Sequence, residues 1–278
     1  MGHDMSLRLL CKSMLDFFRH NGPMLAGSIA CFSLMALVPF FLLLVSVFGY
    51  ILGENPGFYN FFALRLSSFF PDATREITEE LGKIITYRRI GIFTLAAYAY
   101  FSYQLYFSLE SAVNTVFGTP GKRPLWISLL LSLSVITGLI VLIILSFGAS
   151  SLLTFFEPLA RHFPSLLEWD ITTILVGILL PVALVFVAVS GLFIVLPHRK
   201  VSVRHAVCGA LVTAVLFEVV KHGFSYYTVM KLSRFGNIYG PLTAFVIFLL
   251  WIFIAACIFL LGAEIVNNLV SLEDAGDE

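Results

Sequence analysis

Charge is what this chain has least of. Of its 278 residues only 12% are charged, and 17 Lys and Arg balance 17 Asp and Glu. A formal net charge of zero leaves no basic face for nucleic acid. The four cysteines, Cys11, Cys31, Cys208 and Cys257, lie far apart with no C-x-x-C spacing, which excludes a zinc ribbon or a thioredoxin-like pair; neither a disulfide nor a metal site is expected. There is no H-E-x-x-H, no G-x-S-x-G, no Asp/His cluster and no phosphate-binding P-loop. No cofactor is therefore expected, the chain reads as a non-enzyme, and any work it does runs on ion or substrate gradients or on a partner.

What is abundant is apolar surface. Hydrophobic residues make up 59% of the chain, Phe alone occurs 28 times, and the mean hydropathy is +0.95. That exceeds the need of one soluble core and indicates an integral membrane protein. A crossing helix needs about 20 apolar residues for a hydrocarbon core of roughly 30 Å. Five charge-free runs qualify: Asn21 to Gly53, Ile90 to Leu109, Pro124 to Phe156, Ile171 to His198, and Phe235 to Ala263.

A sixth span carries charge. Arg199, Lys200 and Arg204 bound one end, Lys231 and Arg234 the other, and Ala206 to Met230 between them is long enough to cross. On a helix of this register Ala214, Glu218, Lys221, His222 and Ser225 share one face, opposite Val212, Val219 and Phe224. Glu218 stands three residues before Lys221 and four before His222, so an ion pair within the helix is expected. Two readings stay open: the charges neutralise each other as packing, or they line a polar cavity. A second stripe in "YQLYFSLESAVNTVFG" puts Tyr103, Tyr106, Glu110 and Asn114 on a common face. If the two stripes face each other, they form a cleft suited to a polar or ionic headgroup.

These landmarks resemble the YihY/virulence factor BrkB family of bacterial inner-membrane proteins, once mislabelled ribonuclease BN. The resemblance runs over nearly the whole chain: Ala30 and Pro39 in "GSIACFSLMALVPFFLLL", Glu110 and Asn114 in "SLESAVN", "LPHRKVSVRHAVCGA", and the closing "YGPLTAFVIFLLWIFIAACIFLLGAEIVNN". The last is the most specific, with Tyr239, Gly240, Trp251, Gly262 and Glu264 in the family's order; Ala36 stands where the family often has Ser. The resemblance implies six spanning helices, an inner-membrane location and a transport-like role. Members are associated with serum resistance, envelope lipid traffic and export of anionic compounds, with no single substrate.

The expected fold is an all-α polytopic membrane protein of one domain. Spans are placed at about 24–53, 90–117, 125–156, 171–197, 206–230 and 236–263. Residues 1–20 form an interfacial amphipathic helix, with Leu7, Leu10, Cys11, Met14 and Phe18 opposite Arg8, Lys12 and Arg19. Residues 54–89 form an extracytoplasmic helical hairpin broken at Pro71, its Phe cluster either in the headgroup layer, roofing a cavity, or packed for stability. Lys and Arg divide evenly between the two faces; discounting the hairpin, the short loops favour both termini in the cytoplasm, as the resemblance does. The pattern around Leu37, Pro39, Leu42, Val45, Val47 and Gly49 returns around Leu179, Pro181, Leu184, Val187, Val189 and Gly191 at a constant offset. This suggests a 3+3 inverted repeat, with Pro39 and Pro181 as helix-break candidates beside a site at the repeat interface.

The expected function is movement of an anionic or amphipathic, lipid-like envelope compound through the cleft of Glu110, Asn114, Glu218, Lys221, His222, Tyr103, Tyr106 and Ser225. Membrane lipids are the expected partners, nucleic acid is not, and the oligomeric state is left open. The alternative is a scaffold that assembles with a periplasmic or envelope protein without transporting anything.

Overall fold

The computed structural model describes residues 2–52, 92–119, 121, 123–124, 126–135, 138, 179–239 and 241–274. Every regular element among them is helical: α1 (Gly2–Arg19), α2 (Gly22–Leu52), α3 (Ile92–Val116), α4 (Trp126–Val135), α5 (Leu180–Val195), α6 (Val203–Tyr239) and α7 (Pro241–Asp274). The expected hairpin at 54–89, most of the span at 125–156 and the N-terminal part of the span at 171–197 lie outside the described residues.

Several helices outrun the apolar windows. At 1.5 Å per residue the 37 residues of α6 extend about 55 Å and the 34 of α7 about 51 Å, well beyond a hydrocarbon core of roughly 30 Å. Hydropathy reports where side chains are apolar, whereas backbone hydrogen bonds continue the helix into water. Among the described residues, Val203–Phe224 and Phe245–Asp274 are long and apolar enough to cross a membrane.

Proline behaves differently from the expectation of broken helices. Pro39 is buried inside α2, which continues through it to Leu52. One missing N–H costs a single rung, and apolar helices tolerate this where neighbours cover the site. Pro181 stands at the start of α5 as described, a position that tolerates the missing N–H of proline. The segment preceding Leu179, and with it most of the proposed repeat, lies outside the described residues.

The core forms around α7, which packs against α2, α3, α5 and α6, with α1 laid across its C-terminal half. Small residues allow α6 to come close: Ala206, Gly209, Ala210, Thr213 and Ala214 are buried against α7. A Cβ on Gly209 would collide with Val266, and one on Gly262 with Thr213 and Phe193. Small residues at a four-residue spacing are how helices approach where no hydrophobic drive separates lipid from side chain.

α1 docks by its polar edge. Ser13 and Phe17 are buried, Asn268 of α7 donates to Ser13 Oγ (3.0 Å) and to Asp16 Oδ2 (3.2 Å), and His20 meets Glu264. Leu10, Cys11, Met14, Leu15 and Phe18 are left exposed. An outward apolar stripe on a helix attached by polar groups suits a bilayer interface and not bulk water. Between α1 and α2, Asn21 takes a positive φ of 56°, and a side chain at Gly22 would strike the Phe17 ring.

Candidate functional site

Glu110 sits six residues before the end of α3 and is buried. Its Oε1 lies 3.2 Å from His198 Nε2, 3.5 Å from Arg123 Nε and 3.5 Å from the Tyr106 hydroxyl; its Oε2 accepts from Ser128 Oγ at 3.2 Å. Four segments converge on one carboxylate: α3, the turn after it, the start of α4 and the loop after α5. A buried carboxylate is tolerable only with such compensation, since an unpaired ion there costs several kcal/mol.

The turn that delivers Arg123 follows from Gly118. With φ at 61° it places Gly118 N–H on Thr115 O and Thr119 N–H on Asn114 O, a Schellman ending that only glycine adopts without strain. Thr119 Oγ1 then donates to Asn114 Oδ1 (3.1 Å). The same Oδ1 accepts from the His198 backbone N–H (2.8 Å), while Asn114 Nδ2 donates to Glu110 O and, at 3.4 Å, to Leu196 O.

Arg123 completes the arrangement. Its Nη1 donates to Val195 O (3.0 Å) and the Tyr106 hydroxyl (3.3 Å), and its Nη2 to Pro197 O (3.0 Å). The terminal carbonyls of α5 have no partners within their own helix. Asn114 and Arg123 supply them from another part of the chain, and a guanidinium suits the negative end of the helix dipole. Chemically the cluster is a clasp with one carboxylate, one guanidinium and one imidazole, whose His198 Nδ1 is buried without a partner.

The second set lies on α6. Lys221 Nζ is 2.6 Å and His222 Nε2 3.2 Å from Glu218 Oε1. These are ion-pair distances without hydrogen-bond alignment, because Oε1 has no aligned donor. Glu218 is 16% exposed, Lys221 37% and His222 68%. One turn earlier Ala214 is buried against α7, so the charges begin where the small-residue face ends. Trp251 of α7 closes that level, its ring centroid 5.3 Å from Phe217 and 4.9 Å from Phe224.

The two polar stripes are held apart. Among the described residues no hydrogen bond or ion pair joins Glu110, Asn114 or Tyr106 to Glu218, Lys221 or His222. Depth accounts for this. Glu110 belongs with the loop after α5, whereas Glu218 is 15 residues into α6, roughly 22 Å further along at 1.5 Å per residue. Tyr103 points elsewhere and stacks on Phe107 (6.2 Å). The side chains of Ser225 and Tyr239, and Gly240 altogether, lie outside the described residues. Gly262 serves the α6–α7 contact, and Glu264 meets His20 at 2.7 Å.

Sequence reasoning missed Arg123, Ser128, His198, His20 and Asn268 as site residues. Arg123 stands in no motif of the sequence, and His198 sits in the "LPHRKVSVRHAVCGA" landmark without a role; their proximity to Glu110 is a property of the folded chain.

The comparisons agree on the family. The profile described as virulence factor BrkB matches residues 14–275. A UPF0761 membrane protein of Nitrosospira multiformis is 30% identical over 271 residues, covering 93% of this chain and 60% of its own length. One from Kangiella koreensis is 29% identical over 266 residues, covering 93% of this chain and 63% of its own. One from Aliivibrio salmonicida is 29% identical over 255, covering 88% and 77%. The chain thus spans about three-fifths of the length of the first two curated relatives. No solved structure matches. On the match of its profile to nearly all of the sequence, the chain belongs to the virulence factor BrkB family of membrane proteins.

Proposed function

We propose that this protein is a six-span protein of the bacterial inner membrane, both termini cytoplasmic, that moves an anionic or amphipathic lipid-like compound. The observation that carries the reading is on α6. Lys221 and His222 stand 37% and 68% exposed on a helix apolar enough to cross the membrane. A charge facing lipid is costly, and intramembrane ions line polar passages or pair with one another. Among the described residues Lys221 pairs only with a neighbour on its own helix, so an anionic headgroup can replace Glu218 without disturbing tertiary packing.

Topology supports the orientation. α1, the turn after α3, the loop after α5 and the C-terminal end of α7 meet at one end: His20 with Glu264, Asn267 with Val116 O, Arg199 with Asp274, His205 with Glu273. That end gathers Arg123, Arg199, Lys200 and Arg204, as a cytoplasmic face does. Cysteines introduced at Ser67 and Ser202 are expected to react from opposite sides of the membrane; reaction of both from one side overturns the topology.

The functional test is reconstitution. In vesicles the chain is expected to move a headgroup-labelled anionic phospholipid between leaflets, and Lys221→Met to abolish this while the protein stays folded and monodisperse. A full rate in Lys221→Met sinks the reading. The assembly alternative draws on the clasp around Glu110, whose carboxylate is engaged by the protein's own groups; it predicts no lipid movement in the unaltered chain.

A further inference from the structure

Glu264 differs from the other described acids. Its side chain is 0% exposed, one oxygen lies 2.7 Å from His20 Nδ1, and Oε2, also buried, has no partner among the described residues. An ionised carboxylate offers about four lone-pair sites, and among the described residues one side chain reaches it. A fully buried charge so sparsely compensated is unfavourable, and the least demanding remedy is a proton.

The surroundings favour the same ligand. Among the described residues the ionisable groups acting on Glu264 are Asp16 of α1 and His20 just past its end. Among the described residues, the elements packed against α7 from the other sides, α2, α3, α5 and α6, bring no charged side chain to it. Asp16 adds negative charge, is held by Asn268, and is paired outward with Arg19 at 3.7 Å. No cluster of three or more metal-ligating side chains occurs among the described residues, so a divalent cation finds no ligand set. His20 is 37% exposed, with one face toward solvent and Nδ1 on the carboxylate. An imidazole can carry a proton on either ring nitrogen, and this one sits between water and the buried acid.

We propose that His20 and Glu264 form a proton-binding site at the α1–α7 contact, with Glu264 as the acid that stores the proton and His20 as the relay to the aqueous side. The step is balanced: one proton from water joins Nε2, the Nδ1 proton passes to the Glu264 carboxylate, and the ring is left neutral with its proton on Nε2. The pair also fastens α1 to α7, so protonation of Glu264 replaces a charged contact by a neutral one at the anchor of an otherwise lipid-facing helix. As the coupling ion the proton rests on the transport reading; as a bound ligand it does not.

The test is infrared difference spectroscopy of the purified full chain in lipid nanodiscs, titrated with pH. A protonated-carboxyl C=O band is expected to rise as pH falls and to be lost in Glu264→Gln. His20→Leu, which removes the hydrogen-bonding partner of the carboxylate, is expected to shift the midpoint to higher pH. Asp16→Asn, which removes a neighbouring negative charge, is expected to shift it to lower pH. A band that survives Glu264→Gln overturns the proposal. If Glu264→Gln does not fold, the opposite shifts of the other two variants decide, and a midpoint unmoved by either overturns it. A chain that titrates but moves no lipid refutes the transport reading and leaves the site standing; one that moves lipid without a titrating Glu264 refutes the site.

Discussion

The carboxylates of Glu110 and Glu218 share chemistry and differ in who neutralises them. Glu110 is held by His198, Arg123, Ser128 and Tyr106, three of which come from outside its own helix. Glu218 is held by Lys221 and His222, three and four residues away on α6. Cutting the first cluster separates segments of the fold, whereas opening the second changes only side-chain positions. A charge held across segments is a fastening; a charge held within one helix can open without separating segments. The two also differ in depth, the first lying near the loops and the second well along α6.

The sharpest way to break the comparison is Arg123→Met. It takes the guanidinium from Glu110, leaving His198, Ser128 and Tyr106 on the carboxylate, and removes the donors to Val195 O and Pro197 O, so a loss of about 3 kcal/mol is expected from the weakened charge compensation and the carbonyls left without donors. Adding Glu110→Gln should restore only part, because the carbonyls stay without donors. Thermal unfolding in detergent checks both, and an unchanged midpoint in the single variant removes the fastening role. Gly262→Leu comes next: Thr213 and Phe193 occupy the space, and overpacking of this kind costs typically 1–3 kcal/mol. It is expected to loosen α6 from α7 while leaving the Glu110 cluster intact, which hydrogen exchange of the loop after α5 reads directly. The smallest stability effect is expected for Lys221→Met. Lys221 is more than a third exposed, so its pair is worth about 1 kcal/mol or less. A loss as large as that of Arg123→Met would show that the two sets do the same work.

Local pattern reached some elements and not others. The stripe from Glu218 to His222 was legible because an intrahelical pair depends only on 3.6-residue periodicity, and the ion-pair distances follow from it. The stripe of Tyr106, Glu110 and Asn114 was legible as a face, but its partner was not: the expectation of α3 facing α6 competes with Arg123 and His198, 13 and 88 positions later. Pro39 misled because proline is a strong breaker in water, where a lost hydrogen bond is not offset by covering neighbours. For α1, the apolar stripe was visible in the sequence, while its docking through Ser13, Asp16 and His20 required α7 to be in place.

By itself the sequence determined that this is a helical membrane protein, that α1 carries an amphipathic stripe, and that three charged residues follow one another around a turn of an apolar helix. Each rests on composition or on spacing within one helix, which the chain carries wherever it folds. Only the tertiary structure decided that Glu110 is clasped from three other segments, that Glu264 lies buried against His20, and that the two polar stripes sit at different depths. Those contacts join residues far apart in the chain, and their energies come from desolvation and from the geometry of approach, neither of which is written in the order of the residues.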